Sequence, residues 1–287
     1  PHDMRARGAG RGERTTRGRG WIDPHALLDG ARIVDVMRHG KRLGLVAQDG
    51  RALVIQFGMS GQLVIGESTA ESHRHVTWIV RPRSGQALPM VFRDPRRFGG
   101  VVPCTSVRAM VDAWHAELGP DGLLLRPGEL MRRLIGERAV KAALLDQGVV
   151  AGVGNIYADE ALHRAGIDPR TPCDRLNAPA IERLARSIRT VLRTAVRSGG
   201  STLRDYINGN GRPGQAQLLH AVYGRSGEPC LACGRTLRLA RLAGRATVWC
   251  PACQPSVHTR SGKHRALGRA ATSHKCSMPR GRTERFG

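Results

Sequence analysis

The sequence has 287 residues, which suggests two domains rather than one, and its 46 Lys plus Arg against 23 Asp plus Glu give a formal net charge of +23. This excess predicts a polyanionic partner, because a basic surface that neutralises DNA phosphates gains affinity by releasing their counterions. No apolar run approaches the roughly 20 residues that span a bilayer, and the first twenty residues contain no apolar stretch. These features exclude a membrane-spanning protein and a signal peptide, and we expect a soluble intracellular protein.

The first hundred residues divide into a basic start and a β-rich segment. Residues 1–20 contain six arginines, several glycines and almost no apolar side chains, so we expect a flexible basic N-terminus. Residues 21–106 predict an antiparallel β-sandwich, because short β-branched runs alternate with Gly-containing turns. The predicted strands cover 31–37, 43–47, 52–57, 62–65, 75–80, 88–92 and 100–103.

From residue 107 to residue 220 the apolar side chains recur at helical spacing, which predicts a helical domain. Asn177 and Ser201 are predicted helix N-caps, and Gly199 with Gly200 is expected to end the longest helix. A Gly-rich loop follows at 208–214. The predicted helices cover 107–118, 127–136, 140–145, 156–165, 178–198 and 202–207.

Four of the seven cysteines form two Cys-x-x-Cys pairs, namely Cys230 with Cys233 and Cys250 with Cys253. Two such pairs separated by sixteen residues are typical of a zinc ribbon, in which four thiolates hold one structural Zn²⁺. A redox-active pair is the alternative interpretation. We expect residues 221–254 to form the ribbon around a hairpin, and residues 255–287 to be a basic disordered tail.

A glycine-rich turn separates two predicted helices near residue 150. Gly152 and Gly154 allow the backbone to approach another molecule closely, and Asn155 lies where a helix N-terminus favours a phosphate. An ordinary helix connection with a C-cap glycine is the alternative. The density of glycines favours a functional role in binding DNA.

These segments together resemble the bacterial formamidopyrimidine-DNA glycosylase family and its endonuclease VIII relatives. Residues 150–160 are similar to the helix–two-turn–helix of the family, and residues 222–230 with 245–250 are similar to its zinc finger. Gly58-Met-Ser-Gly61 and Asp94-Pro-Arg-Arg-Phe-Gly99 are similar to its two intercalating loops. The resemblance covers about residues 25–254. It implies an α+β fold with an N-terminal antiparallel β-sandwich, a helical helix–two-turn–helix domain and a C-terminal zinc ribbon.

The resemblance implies a base-excision repair glycosylase and abasic-site lyase that acts on oxidised purines, such as 8-oxoguanine and formamidopyrimidines, in duplex DNA. It implies that Met59, Arg96 and Phe98 fill the gap left by a flipped nucleotide, because base flipping needs such wedges. Lys41 matches the lysine that contacts DNA beside the lesion and assists the lyase step. Arg245 matches both a phosphate contact and the proton donor of the second elimination. Further phosphate contacts are implied for His73, Arg138, Lys141 and Asn155.

The start of the chain departs from the family pattern. The family begins Pro-Glu-Leu-Pro-Glu, and the amine of its N-terminal proline attacks the sugar, whereas this sequence begins Pro1-His2-Asp3-Met4. Three explanations remain open: the true start lies upstream, the protein recognises lesions without excising them, or Pro1 acts with Asp3. The second makes a catalytically impaired damaged-DNA or abasic-site binding protein the alternative function. A zinc-ribbon transcription or ribosome-associated protein would leave the glycine turn unexplained.

The resemblance also carries expectations about partners and location. We expect damaged double-stranded DNA as the partner, one structural Zn²⁺ per chain, no membrane association and a monomeric state. A bacterial cytoplasmic protein associated with the nucleoid through DNA binding is the location that the family implies.

Overall fold

The computed structural model describes residues 24–58, 60–65, 74–80, 86–201 and 213–256. The predicted flexible start, the predicted helix 202–207 and the tail beyond residue 256 lie outside the described residues. Pro1, Met59 and His73 lie outside them as well. No helix in the described ranges is long and apolar enough to cross a membrane.

Seven antiparallel strands form two sheets, in the orders β1-β2-β3-β7 and β4-β6-β5. The predicted strands are therefore confirmed, with ends that differ by at most two residues. Their bounds are β1 Ile33–His39, β2 Arg42–Ala47, β3 Ala52–Gln56, β4 Gln62–Ile65, β5 Arg74–Val80, β6 Leu88–Arg93 and β7 Gly100–Cys104.

The larger sheet is covered on both faces, which explains why its central strands are almost continuously apolar. Leu53 packs towards Phe92 of the smaller sheet, whereas Val54 packs towards Met110 and Trp114 of the first helix. Successive residues of a strand point to opposite faces, so β3 contributes to both cores. Each fully buried side chain of this size contributes about 1.5–3 kcal/mol. The predicted β-sandwich is confirmed, with a helix on its outer face.

Among the described residues, five α-helices follow the sandwich: α1 Val107–Glu117, α2 Pro127–Met131, α3 Val140–Leu145, α4 Asn155–Ala165 and α5 Ala178–Arg197. Helix α5 buries Ile181, Leu184 and Ile188 in a core shared with α3 and α4. Asn177 caps α5 as predicted, since its side chain accepts a hydrogen bond from the amide of Ala180. Gly199 and Gly200 follow its end with φ of 71° and 90°, also as predicted.

Helix α2 is shorter than predicted. The sequence favoured a helix over 127–136, because its apolar residues, such as Leu130 and Leu134, recur at helical spacing. Both leucines are buried in the structure. The helix ends at Met131, after which Ile135 is 69% exposed and Gly136 takes a φ of +76°. A non-helical turn after Met131 places Leu134 in the core. The spacing of the buried residues is therefore the same as in a longer helix.

The C-terminal segment forms the predicted hairpin of β8 Arg238–Leu242 and β9 Arg245–Trp249. Ala243 and Gly244 make the connection with φ of 47° and 72°, the positive values that a two-residue hairpin turn requires. Val222, Leu237 and Val248 form a small core with Cys230 and Cys250. A core of this size needs a further stabilising element, such as a metal ion.

Candidate functional site

The turn between β1 and β2 lies directly against the connection between α3 and α4. Gly40 takes a φ of +57°, and a Cβ atom at this position would lie 2.7 Å from the Cβ of Ala151. The next residue, Lys41, donates a hydrogen bond of 2.9 Å from Nζ to the carbonyl oxygen of Val153. A Cβ atom on Gly154 would lie 3.4 Å from the same Nζ. Gly40 therefore allows the turn to approach the connection closely, and Lys41 lies beside the start of α4.

Asp121 holds this turn in place, although nothing in the sequence pattern singled it out. Its buried carboxylate accepts two hydrogen bonds from Arg38, of 2.7 and 3.0 Å, and one of 2.7 Å from the amide of Gly40. The amide of Leu123 donates a fourth, of 2.9 Å. Burial alone would raise the pKa of Asp121, but the hydrogen bonds from Arg38, Gly40 and Leu123, with the charge of Arg38, lower it below its usual range. The carboxylate therefore stays ionised and fixes the residues that flank Lys41.

The environment of Lys41 makes its ammonium easier to deprotonate than that of a free lysine. Much of the residue is exposed, but its ammonium lies among protein atoms close to Val153. Partial burial, followed by the positive charge of Arg245, lowers the pKa of Lys41. A lowered pKa makes a larger fraction of the amine available as a nucleophile or proton acceptor.

The two loops predicted to intercalate are joined to each other at one end of the sandwich. The hydroxyl of Ser60 donates to Asp94, and it accepts a hydrogen bond of 3.2 Å from the amide of Arg96. The other carboxylate oxygen of Asp94 accepts a hydrogen bond of 2.6 Å from the amide of Gly99. Asp94 is fully buried, so one carboxylate organises both loops.

Phe98 projects from this pair of loops, with 49% of its surface exposed. The neighbouring Arg97 has a φ of +54°, a left-handed conformation that residues other than glycine seldom adopt. A Cβ atom on Gly58 would lie 2.7 Å from the amide nitrogen of Gly99, so only glycine fits where the loops meet. A half-exposed aromatic ring on a hydrogen-bonded loop is suited to stacking on bases.

Asn155 and Arg245 are brought together where α4 meets the hairpin. The side-chain amide of Asn155 donates a hydrogen bond of 3.1 Å to the carbonyl oxygen of Ala246, next to the exposed Arg245. Within the described ranges, the buried Oδ1 of Asn155 has no hydrogen-bond partner. Asn155 is also the first residue of α4, where backbone amides face outward. This arrangement can bind a phosphate through the helix N-terminus and an arginine.

Lys141 is not placed as the resemblance implies. Its side chain is completely buried and pairs with Asp159, with 2.6 Å between Nζ and Oδ1. The same ammonium donates to the carbonyl oxygen of Ala246 and the hydroxyl of Thr247, over 2.9 and 2.7 Å. The buried ammonium therefore lies among three oxygen atoms of the protein, two of which accept its hydrogen bonds. The predicted phosphate contact of Lys141 is therefore corrected to a structural ion pair.

Arg138 lies at the surface, where it pairs with Asp146 over 3.2 Å and 42% of its side chain is exposed. An exposed pair of this kind contributes at most about 1 kcal/mol, so a phosphate could compete for the guanidinium.

The four predicted cysteine ligands converge at the base of the hairpin. Their sulfur atoms all lie within 4.8 Å of one another, with 3.9 Å between Cys230 and Cys253 and 3.4 Å between Cys233 and Cys250. Tetrahedral coordination with Zn–S bonds of about 2.3 Å separates sulfurs by about 3.8 Å, so the cluster fits one zinc ion. Four protein ligands leave no open position, and the ion therefore stabilises the fold.

Three protein-family models match the chain in order. Residues 13–101 match the formamidopyrimidine-DNA glycosylase N-terminal domain, and residues 125–206 match the H2TH domain of that glycosylase. Residues 227–255 match a zinc finger found in FPG and IleRS. These matches cover most of the sandwich, helices α2 to α5 and the hairpin.

Similar proteins carry the same family name. The chain is 44% identical over 240 residues to a formamidopyrimidine-DNA glycosylase of Pseudomonas aeruginosa (strain LESB58), covering 82% of this chain and 87% of the relative. The glycosylase of Xanthomonas oryzae pv. oryzae (strain PXO99A) is 42% identical over 233 residues, covering 79% of this chain and 84% of the relative.

Solved structures of proteins with this family name resemble the fold of this chain. The MutM (Fpg) protein of Thermus thermophilus superimposes with a TM-score of 0.69 at 40% identity, covering 78% of this chain and 84% of that one. The Lactococcus lactis Fpg in complex with an abasic site containing DNA gives a TM-score of 0.71 at 30% identity, covering 79% and 83%. On these similarities, the chain belongs to the formamidopyrimidine-DNA glycosylase family.

Proposed function

We propose that this chain removes oxidised purines, such as 8-oxoguanine and formamidopyrimidines, from duplex DNA and then cleaves the abasic site. The observation that carries the proposal is the position of Lys41, whose amine lies beside the start of α4 and within the field of Arg245. An amine with a lowered pKa next to a phosphate-binding helix N-terminus is placed to assist the elimination steps that follow Schiff-base formation on a DNA sugar.

In this proposal, the two loops at residues 58–61 and 94–99 insert side chains into the duplex during base flipping. Phe98 and Arg96, with Met59 by resemblance, enter the duplex and occupy the space that the extruded nucleotide leaves. Unstacking a base costs a few kcal/mol, and contacts made by inserted side chains offset part of that cost. The hydrogen bonds of Asp94 and Ser60 support this role, because they link the described residues of the two loops to one buried carboxylate.

Asn155 and Arg245 bind the phosphates that flank the flipped nucleotide, and Arg138 adds an exposed contact. His73 is assigned to the same task by resemblance alone. Lys141 acts indirectly, because it holds the strand that carries Arg245. In this division, residues 21–106 carry the wedges and Lys41, residues 107–220 bind the backbone, and residues 221–254 present Arg245.

The chemistry proceeds through an amine of this chain. The amine attacks the sugar C1′, the C1′–N bond breaks, and the base leaves with a proton. The C1′–O4′ bond then breaks as O4′ takes a proton, which opens the sugar ring and leaves an iminium at C1′. This iminium acidifies the C2′ hydrogen, whose removal expels the 3′ phosphate, and a second elimination expels the 5′ phosphate. Pro1 is the nucleophile that the resemblance implies, while Lys41 assists the elimination steps and Arg245 donates a proton in the second.

We expect the chain to act as a monomer on chromosomal DNA in the bacterial cytoplasm, associated with the nucleoid through that binding. The bacterial origin of the relatives supports this location.

Cleavage of an end-labelled duplex with one 8-oxoguanine opposite cytosine tests the proposal. We expect strand scission at the lesion, with phosphate at both new ends, and no scission of the matched duplex with guanine. Intact lesion strands, together with tight binding to a duplex that contains an abasic-site analogue, would instead indicate a damage-binding protein without excision.

A further inference from the structure

His163 of helix α4 lies against the cysteine cluster. Its Nε2 is 3.6 Å from the sulfur of Cys230, a distance typical of a hydrogen bond to sulfur. The residue belongs to the helical core, 67 positions before the cysteine. No spacing rule in the sequence connects the two.

The contact is one of several between the second half of α4 and the metal-binding unit. Glu160, one turn before His163, accepts hydrogen bonds of 2.9 Å from three successive amides at Ala221, Val222 and Tyr223. Beyond the end of the helix, the carbonyl oxygen of Ile167 accepts a hydrogen bond of 2.8 Å from the side chain of Gln254. The helix therefore contacts the chain both before the first cysteine pair and after the second.

Metal binding determines which group donates in the hydrogen bond between His163 and Cys230. A coordinated cysteine is a thiolate, which can only accept hydrogen bonds, so the imidazole must donate through Nε2–H. Four thiolates around one Zn²⁺ leave a net negative charge, and a donor withdraws part of that charge from the sulfur. The same bond restricts the rotation of the Cys230 side chain before the metal arrives.

We propose that His163 is a positioning residue of the zinc site, whose Nε2–H donates to the Cys230 thiolate and makes metal retention depend on helix α4. This role is independent of the proposed glycosylase activity, because it concerns only how the metal is held. Loss of an outer hydrogen bond to a metal ligand typically lowers metal affinity about 10–100-fold.

Zinc transfer from the full-length protein to a chromophoric chelator measures this role. We expect His163→Phe, which keeps a ring but removes the donor, to release zinc about 10–100-fold faster. His163→Gln keeps an N–H group at a similar reach and should release zinc at nearly the original rate. His115→Phe, at an exposed position of α1, is the matched control and should leave the rate unchanged.

Replacing the zinc ion with Co²⁺ gives a second measurement, which does not depend on the rate of metal release. Without the donor, the Cys230 thiolate is richer in electrons, so the thiolate-to-cobalt charge-transfer band of His163→Phe should move to longer wavelength. Unchanged release and superimposable bands would overturn the proposal. If His163→Phe fails to fold, the wild-type protein loaded with ¹¹³Cd decides by NMR: a scalar coupling between the metal and the Nε2 proton of His163 supports the bond, and its absence overturns it.

Discussion

Lys141 and Asp159 form an ion pair in which both side chains are completely buried, with 2.6 Å between Nζ and Oδ1. The pair also holds strand β9, because Lys141 donates to the carbonyl oxygen of Ala246 and Asp159 accepts a hydrogen bond of 3.1 Å from the amide of Val248. Burial raises the pKa of Asp159 to about 6, and burial lowers the pKa of Lys141. Desolvation therefore disfavours the charged forms of both residues. The structural role of the ion pair is to fix strand β9, which begins with Arg245.

The first prediction concerns the stability of this pair. Lys141→Met should destabilise the protein by about 3–5 kcal/mol, because it leaves the carboxylate of Asp159 buried without its partner. The double variant Lys141→Met/Asp159→Leu should regain most of that loss, since two apolar side chains carry no desolvation penalty. Urea unfolding of the two variants and the parent checks this. A double variant less stable than Lys141→Met would contradict it.

The second prediction concerns the pKa of Lys41. Arg245→Gln removes a positive charge that lowers this pKa, so the pKa of Lys41 should rise, although partial burial, the larger cause, still keeps it below the ordinary value. The uncharged amine fraction at a given pH should then fall, and any lyase rate that needs it should move to higher pH. NMR titration of the labelled lysine measures the shift directly. Arg241→Gln, at an exposed position of β8, is the control. A pKa that stays constant in Arg245→Gln would show that the arginine charge does not reach the amine.

The third prediction concerns DNA binding by Arg245. Arg245→Ala should weaken binding to all duplexes alike, and it should lower the slope of log affinity against log salt by about one. Titration of a labelled duplex at several salt concentrations checks both effects. Arg108→Ala removes the same charge from α1, where Arg108 is 89% exposed and pairs with Asp112, and it should leave the slope unchanged. Equal slopes for Arg245→Ala and the parent would remove Arg245 from the interface.

The fourth prediction concerns the metal. Cys250→Ser should lose zinc and weaken DNA binding, because the buried Cys250 is a ligand and also part of the small core beneath the hairpin. Metal analysis of the purified protein is the measurement. Cys104→Ser, on β7 outside the cluster, should keep its full zinc content. One zinc ion retained by Cys250→Ser would refute the four-cysteine site.

Local patterns of the sequence predicted the fold well. Short β-branched runs between Gly-containing turns define the strands, the Asn177 cap depends on residues three positions apart, and each Cys-x-x-Cys pair is a local turn. The extent of α2 was predicted incorrectly, because Leu134 is buried by a tight turn that repeats helical spacing.

The candidate site was less predictable, because its partners are distant in sequence. A lysine is ordinarily exposed, and only the folded chain shows that Lys141 meets Asp159 and the strand 105 residues later. Asp121 is likewise 83 residues from Arg38, and no periodicity marks it. The resemblance identified Lys41, Asn155 and Arg245, whereas the contacts that fix them required the structure.

The most direct test of the central claim is borohydride trapping of the protein on a duplex with one 8-oxoguanine opposite cytosine. We predict a covalent complex between the chain and the lesion strand, because reduction converts the Schiff base into a stable amine. Peptide mapping of that complex would identify Pro1 or Lys41 as the attached residue. The absence of a complex, with tight binding to abasic-site DNA retained, would contradict the glycosylase and lyase account and leave a protein that recognises damage without excising it.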